Sequence, residues 1–453
     1  MNRVITDRIL ATLACTTVAA IAFLLALAAG RGSHFNPDES RWISRAHYLA
    51  DFADPGSPTW DDQYMTRGQP PLGSYAMGIG LLLQGRDLKT NPPWDFSLPW
   101  EVNVAIGNKP VPADLAAGRT ASAALSAVTA LVVIAVAQTF VPQPWAIAAG
   151  AIYAIHPFTV YIGSIAMSDA VFGLLIACSA WAAAALGRRP GRLRAIALGA
   201  ALGLGAATKL SPLAVAAGVT LAILLIVGGS SVRNRGISAE QARWGALGLF
   251  ISATAIAVFV AVYPYLWPDP LTRTQQLIAF RADEMAAQAS DWPVMAVPTR
   301  LDAVRRVHAN FSNQYNISAS VLTLTGFGPI PAWVRQIEIV AVGAGLTILV
   351  VRAARAGPLS PRALTLAVLG GQVLITILGM RSEFDRYHLP MAILGAVAAA
   401  AALEWLASYR LRGTSSMPPA AAWRSRPNAN GLAVANAVPG RNGRTPRESA
   451  RRS

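Results

Sequence analysis

The chain has 453 residues, of which 54% are hydrophobic and 13% charged, about half the charged fraction of an ordinary soluble domain. Such a composition argues against a soluble enzyme. A formal net charge of +15 would in water point to nucleic acid, but its location excludes that reading. The tail from Arg410 to Ser453 holds nine arginines against Glu448, with Trp423 its one aromatic residue, and the other basic residues crowd short links between apolar runs. These links are Arg188 to Arg194, Arg233 to Arg243 and Arg352 to Arg362, as expected of cytoplasmic loops in a multi-pass membrane protein.

At about 20 apolar residues per crossing, the spacing predicts ten spans, near 9–30, 115–141, 144–159, 168–187, 195–209, 211–229, 244–264, 332–351, 363–380 and 389–409. The first is too long for a signal-peptide core and reads as a retained helix. If 195–229 crossed once instead of twice, the three arginine-rich links and the tail would fall on opposite sides, so the charge rule favours two crossings. Both termini then lie in the cytoplasm of a plasma-membrane protein. Two large segments, 31–114 and 265–331, face outward with ten acids against seven bases and five of each, respectively. Residues 1–409 therefore form one transmembrane domain, and 410–453 a disordered basic tail. The two cysteines, Cys15 and Cys178, build neither a disulfide framework nor a metal site.

The first outward segment opens with Asn36-Pro37-Asp38-Glu39, an N-cap, an N1 proline and two acids in a first helical turn. These acids complement the helix dipole, and they also stand where a lipid-linked substrate would present its head group. A rigid Pro-Gly loop follows, from Arg67 through Gln69-Pro70-Pro71-Leu72-Gly73; Arg67 is either a solvated loop residue or a phosphate contact. Ionisable residues in spans are costly and mark function. Arg119 opens the second span, Asp169 stands at the outer edge of the fourth, and Lys209 interrupts the apolar block. The loop Arg381 to His388 carries six ionisable residues, Arg386 among them. Most of these cluster at outer helix ends, where they could face one cavity. Asp169 is alternatively a simple cap after Ser168.

Taken in order, Asn-Pro-Asp-Glu, Pro-Pro-Leu-Gly, the Ala-Gly-Arg119 opening, His156-Pro followed by Ser-Asp169, Ala-Thr-Lys209, Tyr263-Pro-Tyr-Leu-Trp-Pro-Asp-Pro270 and Arg386-Tyr387 resemble the GT-C membrane glycosyltransferases. The branch is the family 39 group, which includes protein O-mannosyltransferases and bacterial aminoarabinose and Rgt-like transferases. The resemblance implies an all-α GT-C-like bundle and an inverting transfer of a sugar from a polyprenyl-phosphate carrier to an acceptor hydroxyl on the outer face. Asp38 would be the catalytic base, Glu39 its support and Asp169 the second carboxylate. Arg67, Arg119, Lys209 and Arg386 would contact the donor phosphate, with Tyr387, His388 and Gln69 as further substrate contacts. Gln69 and Ser74 replace the His and Lys of the protein mannosyltransferase loop, which argues against a protein-mannosylating role.

No cofactor is implied, although a divalent cation is compatible with the carboxylates. His34, Asp38 and His47 match no standard metal spacing. The partners implied are the lipid-linked donor, a hydroxyl acceptor and membrane lipids, with no nucleic acid. The alternative is a multi-span transporter or flippase, which would share the span number but commonly shows paired halves.

Overall fold

In a computed structural model, residues 2–61, 69–317, 320 and 331–415 are described. The chain divides into two compact units, 1–407 and 408–453, and the first carries the helical bundle. The described residues form no strand beyond one isolated antiparallel bridge between Ala296 and Ser382.

The principal helices are α1 (Asn2–Gly32), α2 (Pro37–Ser44), α3 (Leu72–Leu82), α4 (Pro112–Ala137), α5 (Gln143–Ile155), α6 (Pro157–Ser164), α7 (Asp169–Arg188), α8 (Arg192–Ala206), α9 (Ser211–Asn234), α10 (Ala239–Ala261), α11 (Pro270–Asp291), α12 (Arg300–Ala309), α13 (Ala332–Ala356), α14 (Pro361–Gly379) and α15 (Leu389–Ser415). Among the described residues, eight helices are long and apolar enough to cross a membrane, and α5 with α6 makes a ninth that is bent by 59°. The protein is an all-α, multi-span membrane protein. Leu13, Leu24, Leu225, Leu249 and Val340 stay exposed on the bundle surface, where hydrocarbon rather than water would receive them.

The bend has a sequence cause. Pro157 cannot continue the hydrogen-bond ladder of α5 and pushes His156 into extended backbone, observed at ψ 127°. The His156 ring then caps α6, its Nδ1 accepting from the Phe158 amide at 3.1 Å.

The expected span at 195–209 is the 15-residue α8, about 22 Å long at the usual rise and below full span length. It nevertheless runs from one end of the bundle to the other. At its start, the link after α7 is held by Arg243, which donates to the Pro190 carbonyl; beyond its end, Lys209 reaches Asp169 at the opposite end of α7. Residues 195–229 therefore pass twice, as the charge rule favoured. The same basic end collects Arg188 on Thr139 Oγ1 (3.0 Å), Arg362 on the Thr139 carbonyl (3.1 Å) and Arg352 on the Phe140 carbonyl (2.9 Å).

Such a short helix holds its place by close approach. A Cβ on Gly199 would lie 2.5 Å from the Ile251 carbonyl oxygen of α10, and one on Gly203 2.5 Å from that of Ala255. This is the small-residue contact of membrane helices, in which backbones pack without side chains between them. Gly203→Ala should therefore force α8 from α10 at a cost of roughly 1–3 kcal/mol. The expected result is a lower unfolding midpoint in detergent by circular dichroism, and a midpoint equal to the parent's would contradict the packing.

Candidate functional site

The site starts at the N-terminus of α2. Asn36 caps the helix, its side chain accepting from the Asp38 amide at 3.0 Å, while Glu39 Oε2 accepts from the Asn36 amide at 3.0 Å. This reciprocal capping turns the two neighbouring acids in different directions.

Glu39 is fully buried. Arg119 of α4 meets it as a two-pronged pair, Nε to Oε1 at 2.8 Å and Nη2 to Oε2 at 2.7 Å, and the Ala166 amide donates to Oε1 at 2.9 Å. The other Arg119 hydrogens go to the carbonyls of Gly30, Ser33 (3.2 Å) and His34 (3.1 Å). All five guanidinium donors are thus committed to protein, and none is left for a phosphate. Arg119 and Glu39 fasten the end of α1, helix α2, helix α4 and the turn before α7 to one another.

Asp38 is a quarter exposed and takes Arg386 Nη1 on Oδ2 at 2.7 Å. A second pair lies nearby. Asp169, the first residue of α7, is buried and receives the Lys209 ammonium at 2.5 Å. That ammonium also sits 5.2 Å from the ring centres of both Phe172 and Tyr387. Lys209 and Arg386 border a cavity of about 350 Å³, whose walls include Asp169, Gln69, Tyr387 and Trp42. Arg386 bridges this cavity to Asp38.

The Arg386 loop is held by the segment 265–331. The Val297 amide donates to the Arg381 carbonyl and the Glu383 amide to the Met295 carbonyl, each at 2.8 Å. Arg300 caps the Met380 carbonyl at 2.8 Å and Arg306 pairs with Glu383 at 2.8 Å. Asp385 accepts from Gln314 Nε2 (3.0 Å) and the Tyr315 hydroxyl (2.9 Å). Burial and the Asp385 carboxylate push the Tyr315 phenol well above its ordinary range, so it stays a neutral donor.

The structure therefore brings together Asp38, Asp169, Lys209, Arg386, Tyr387 and Gln69. Gln69 is itself fixed by Arg45, which donates to its backbone carbonyl at 2.5 Å. His388 is buried against Phe311 and is absent from the cavity walls. Arg67 lies outside the described residues. The sequence reading missed Arg281, Glu284 and Gln288 of α11, which line the cavity, together with the Arg300 and Arg306 clamp. Their one sequence signal is the helical spacing of polar residues in 270–291.

A metal ion does not fit the donors present. His47 is paired with Asp51 at 2.7 Å, and among the described residues no three His, Cys, Asp or Glu side chains converge. Asp38 and Asp169 each face a cation instead.

The sequence profile of the dolichyl-phosphate-mannose-protein mannosyltransferase family matches residues 49–266, a stretch with Arg119, Asp169 and Lys209 but without Asp38 or Arg386. The archaeal oligosaccharyltransferase AglB from Archaeoglobus fulgidus, in complex with an inhibitory peptide and a dolichol-phosphate, superposes at TM-score 0.51 and 12% identity over 91% of this chain. This chain shares the fold of that archaeal membrane protein. It spans about half of the archaeal protein, 52% of its length. A second structure of the Archaeoglobus enzyme, in complex with Zn and sulfate, gives TM-score 0.51 at 12% identity over 88% of this chain and 49% of that one. The Saccharomyces cerevisiae protein O-mannosyltransferase Pmt1-Pmt2 complex bound to the sugar donor overlaps more loosely, at TM-score 0.38 and 15% identity over 59% of this chain and 34% of that one, and carries no weight. No curated protein sequence matches the chain significantly.

Within this bundle the two acids of α2 should separate by experiment. Arg119→Ala strands a buried Glu39 carboxylate, a loss of roughly 3–5 kcal/mol, whereas Asp38→Asn leaves the frame intact. Thermal unfolding in detergent should show a large drop for the first and a small one for the second. Equal stability of Arg119→Ala and the parent would contradict the framing role.

Proposed function

We propose that the protein transfers a sugar from a polyprenyl-phosphate carrier to an acceptor hydroxyl of a cell-envelope glycan, lipid or protein, on the extracytoplasmic face and with inversion at the anomeric carbon. The observation that carries this reading is the pairing of Asp38 with Arg386 at the edge of a cavity that also holds Lys209 on Asp169. Support for a lipid-linked donor comes from the family profile and from the dolichol-phosphate in the archaeal complex. The orientation follows from charge, since the arginine-rich links gather at the end of the bundle opposite this site.

In this reading the donor phosphate enters between Lys209 and Arg386. Arg386 shifts its hydrogen bonds toward the phosphate oxygens and leaves Asp38 free to accept a proton. The acceptor oxygen attacks the anomeric carbon, its proton passes to Asp38, the bond from carbon to phosphate oxygen breaks, and the polyprenyl phosphate departs with the electron pair. Asp38 supplies general-base assistance, typically worth 10² to 10⁴ in rate. Lys209 and Arg386 stabilise the charge that grows on the leaving phosphate, in a cavity where fixed donors outperform water. Arg119 and Glu39 position the base without touching substrate. The transporter alternative finds no support in these likenesses.

Asp38→Asn should reach the membrane folded yet lose at least about 10²-fold in transfer, assayed in vesicles with radiolabelled polyprenyl-phosphate sugar. Near-parental transfer would remove Asp38 from the role of base.

A further inference from the structure

Helix α11 carries charged and amide side chains on its inward face. Its less exposed positions recur at helical spacing as Arg273, Leu277, Arg281, Glu284 and Gln288, flanked by the part-buried Phe280 and Met285, and of these only Leu277 is fully buried. Leu271 and Ile278 instead point outward, 72% and 56% exposed. An amphipathic helix that closes a hydrophobic core turns its apolar stripe inward, and α11 sets a polar row there beside Leu277, Phe280 and Met285. Three of that row, Arg281, Glu284 and Gln288, stand on the wall of the cavity that contains Lys209 and Arg386. Polar side chains held over a cavity lose water, and that loss is offset by hydrogen bonds to one another and to whatever fills it.

The row is also organised. Arg281 Nη1 donates to Glu284 Oε2 one turn later, which fixes the carboxylate, and Gln288 Oε1 receives the Ser382 hydroxyl at 3.4 Å from the Arg386 loop. An isoprenoid chain has no use for these groups. A sugar does, because its hydroxyls donate to carboxylates and exchange paired bonds with amides. The volume of about 350 Å³ lies at the small end of ligand sites and suits one monosaccharide with its phosphate.

We propose that α11 is the sugar-reading wall of the site, with Glu284 and Gln288 hydrogen-bonding the hydroxyls of one neutral monosaccharide on the donor, and Arg281 holding Glu284 in register. This rests on the glycosyltransferase reading and extends it. Lys209 and Arg386 would take the phosphate that all donors share, and the α11 row would distinguish donors by hydroxyl configuration.

The test uses the full chain in lipid vesicles and three donors, polyprenyl-phosphate glucose and its C2 and C4 epimers mannose and galactose, with sugar-free polyprenyl phosphate as inhibitor. Glu284→Gln and Gln288→Ala should change the ratio of kcat/KM between the preferred donor and the other two by about tenfold or more. Inhibition by sugar-free polyprenyl phosphate should not move, since its partners are elsewhere. If both variants slow all three donors alike, or weaken that inhibition, α11 is structural or part of the phosphate site, and the inference is overturned. Failure of the underlying reading looks different. The parent would then transfer sugar from no donor and would match Asp38→Asn, and the inference would fall with it.

Discussion

The Glu39–Arg119 pair is the contact on which the rest of the site depends. A carboxylate with no exposed surface is stable there because each oxygen meets a guanidinium nitrogen and also accepts a backbone amide, from Ala166 on one side and Asn36 on the other. Arg119 in turn closes the carbonyls at the end of α1. Buried ion pairs are seldom a net source of stability, but one in which every donor is matched fixes geometry. Here it sets the angle at which α2 leaves the membrane and therefore where Asp38 stands.

The adjacent acids consequently have separate duties. Glu39 is immobilised and cannot change its bonding without disturbing four elements. Asp38, one residue earlier, is partly exposed and holds a single charged partner on a loop. That loop is tied to the second outward segment through Met295, Val297, Arg300 and Arg306. Segments 31–114 and 265–331, far apart in sequence, thus meet at one ion pair: the first supplies the carboxylate and the second positions the arginine.

Much of the bundle was legible in the sequence because membrane insertion is governed by length, apolarity and arginine placement, all of which are local. The bend at His156-Pro157 split an expected span, and α8 proved shorter than a standard crossing, lying directly on α10 through Gly199 and Gly203. The carboxylates and cations of the site were also legible, since charges near apolar runs are conspicuous. Which charges would face one another was not. Arg119 looked like a phosphate ligand because it opens a span, and its partners lie about 80 residues away in sequence. The α11 wall was hidden for another reason. Polar residues in an outward segment look solvated until the fold shows which face turns inward.

We propose Asp38 as the carboxylate that acts on substrate: Glu39 is locked and Asp169 is buried on Lys209, whereas Asp38 is partly exposed and its partner Arg386 borders the cavity, where a donor phosphate would draw it away. A site with one working carboxylate runs a single displacement, whereas two free carboxylates would permit a covalent glycosyl intermediate. The anomeric configuration of the first product, determined by nuclear magnetic resonance and set against that of the polyprenyl-phosphate donor, tests this most directly. The account predicts inversion; a product of retained configuration would contradict it.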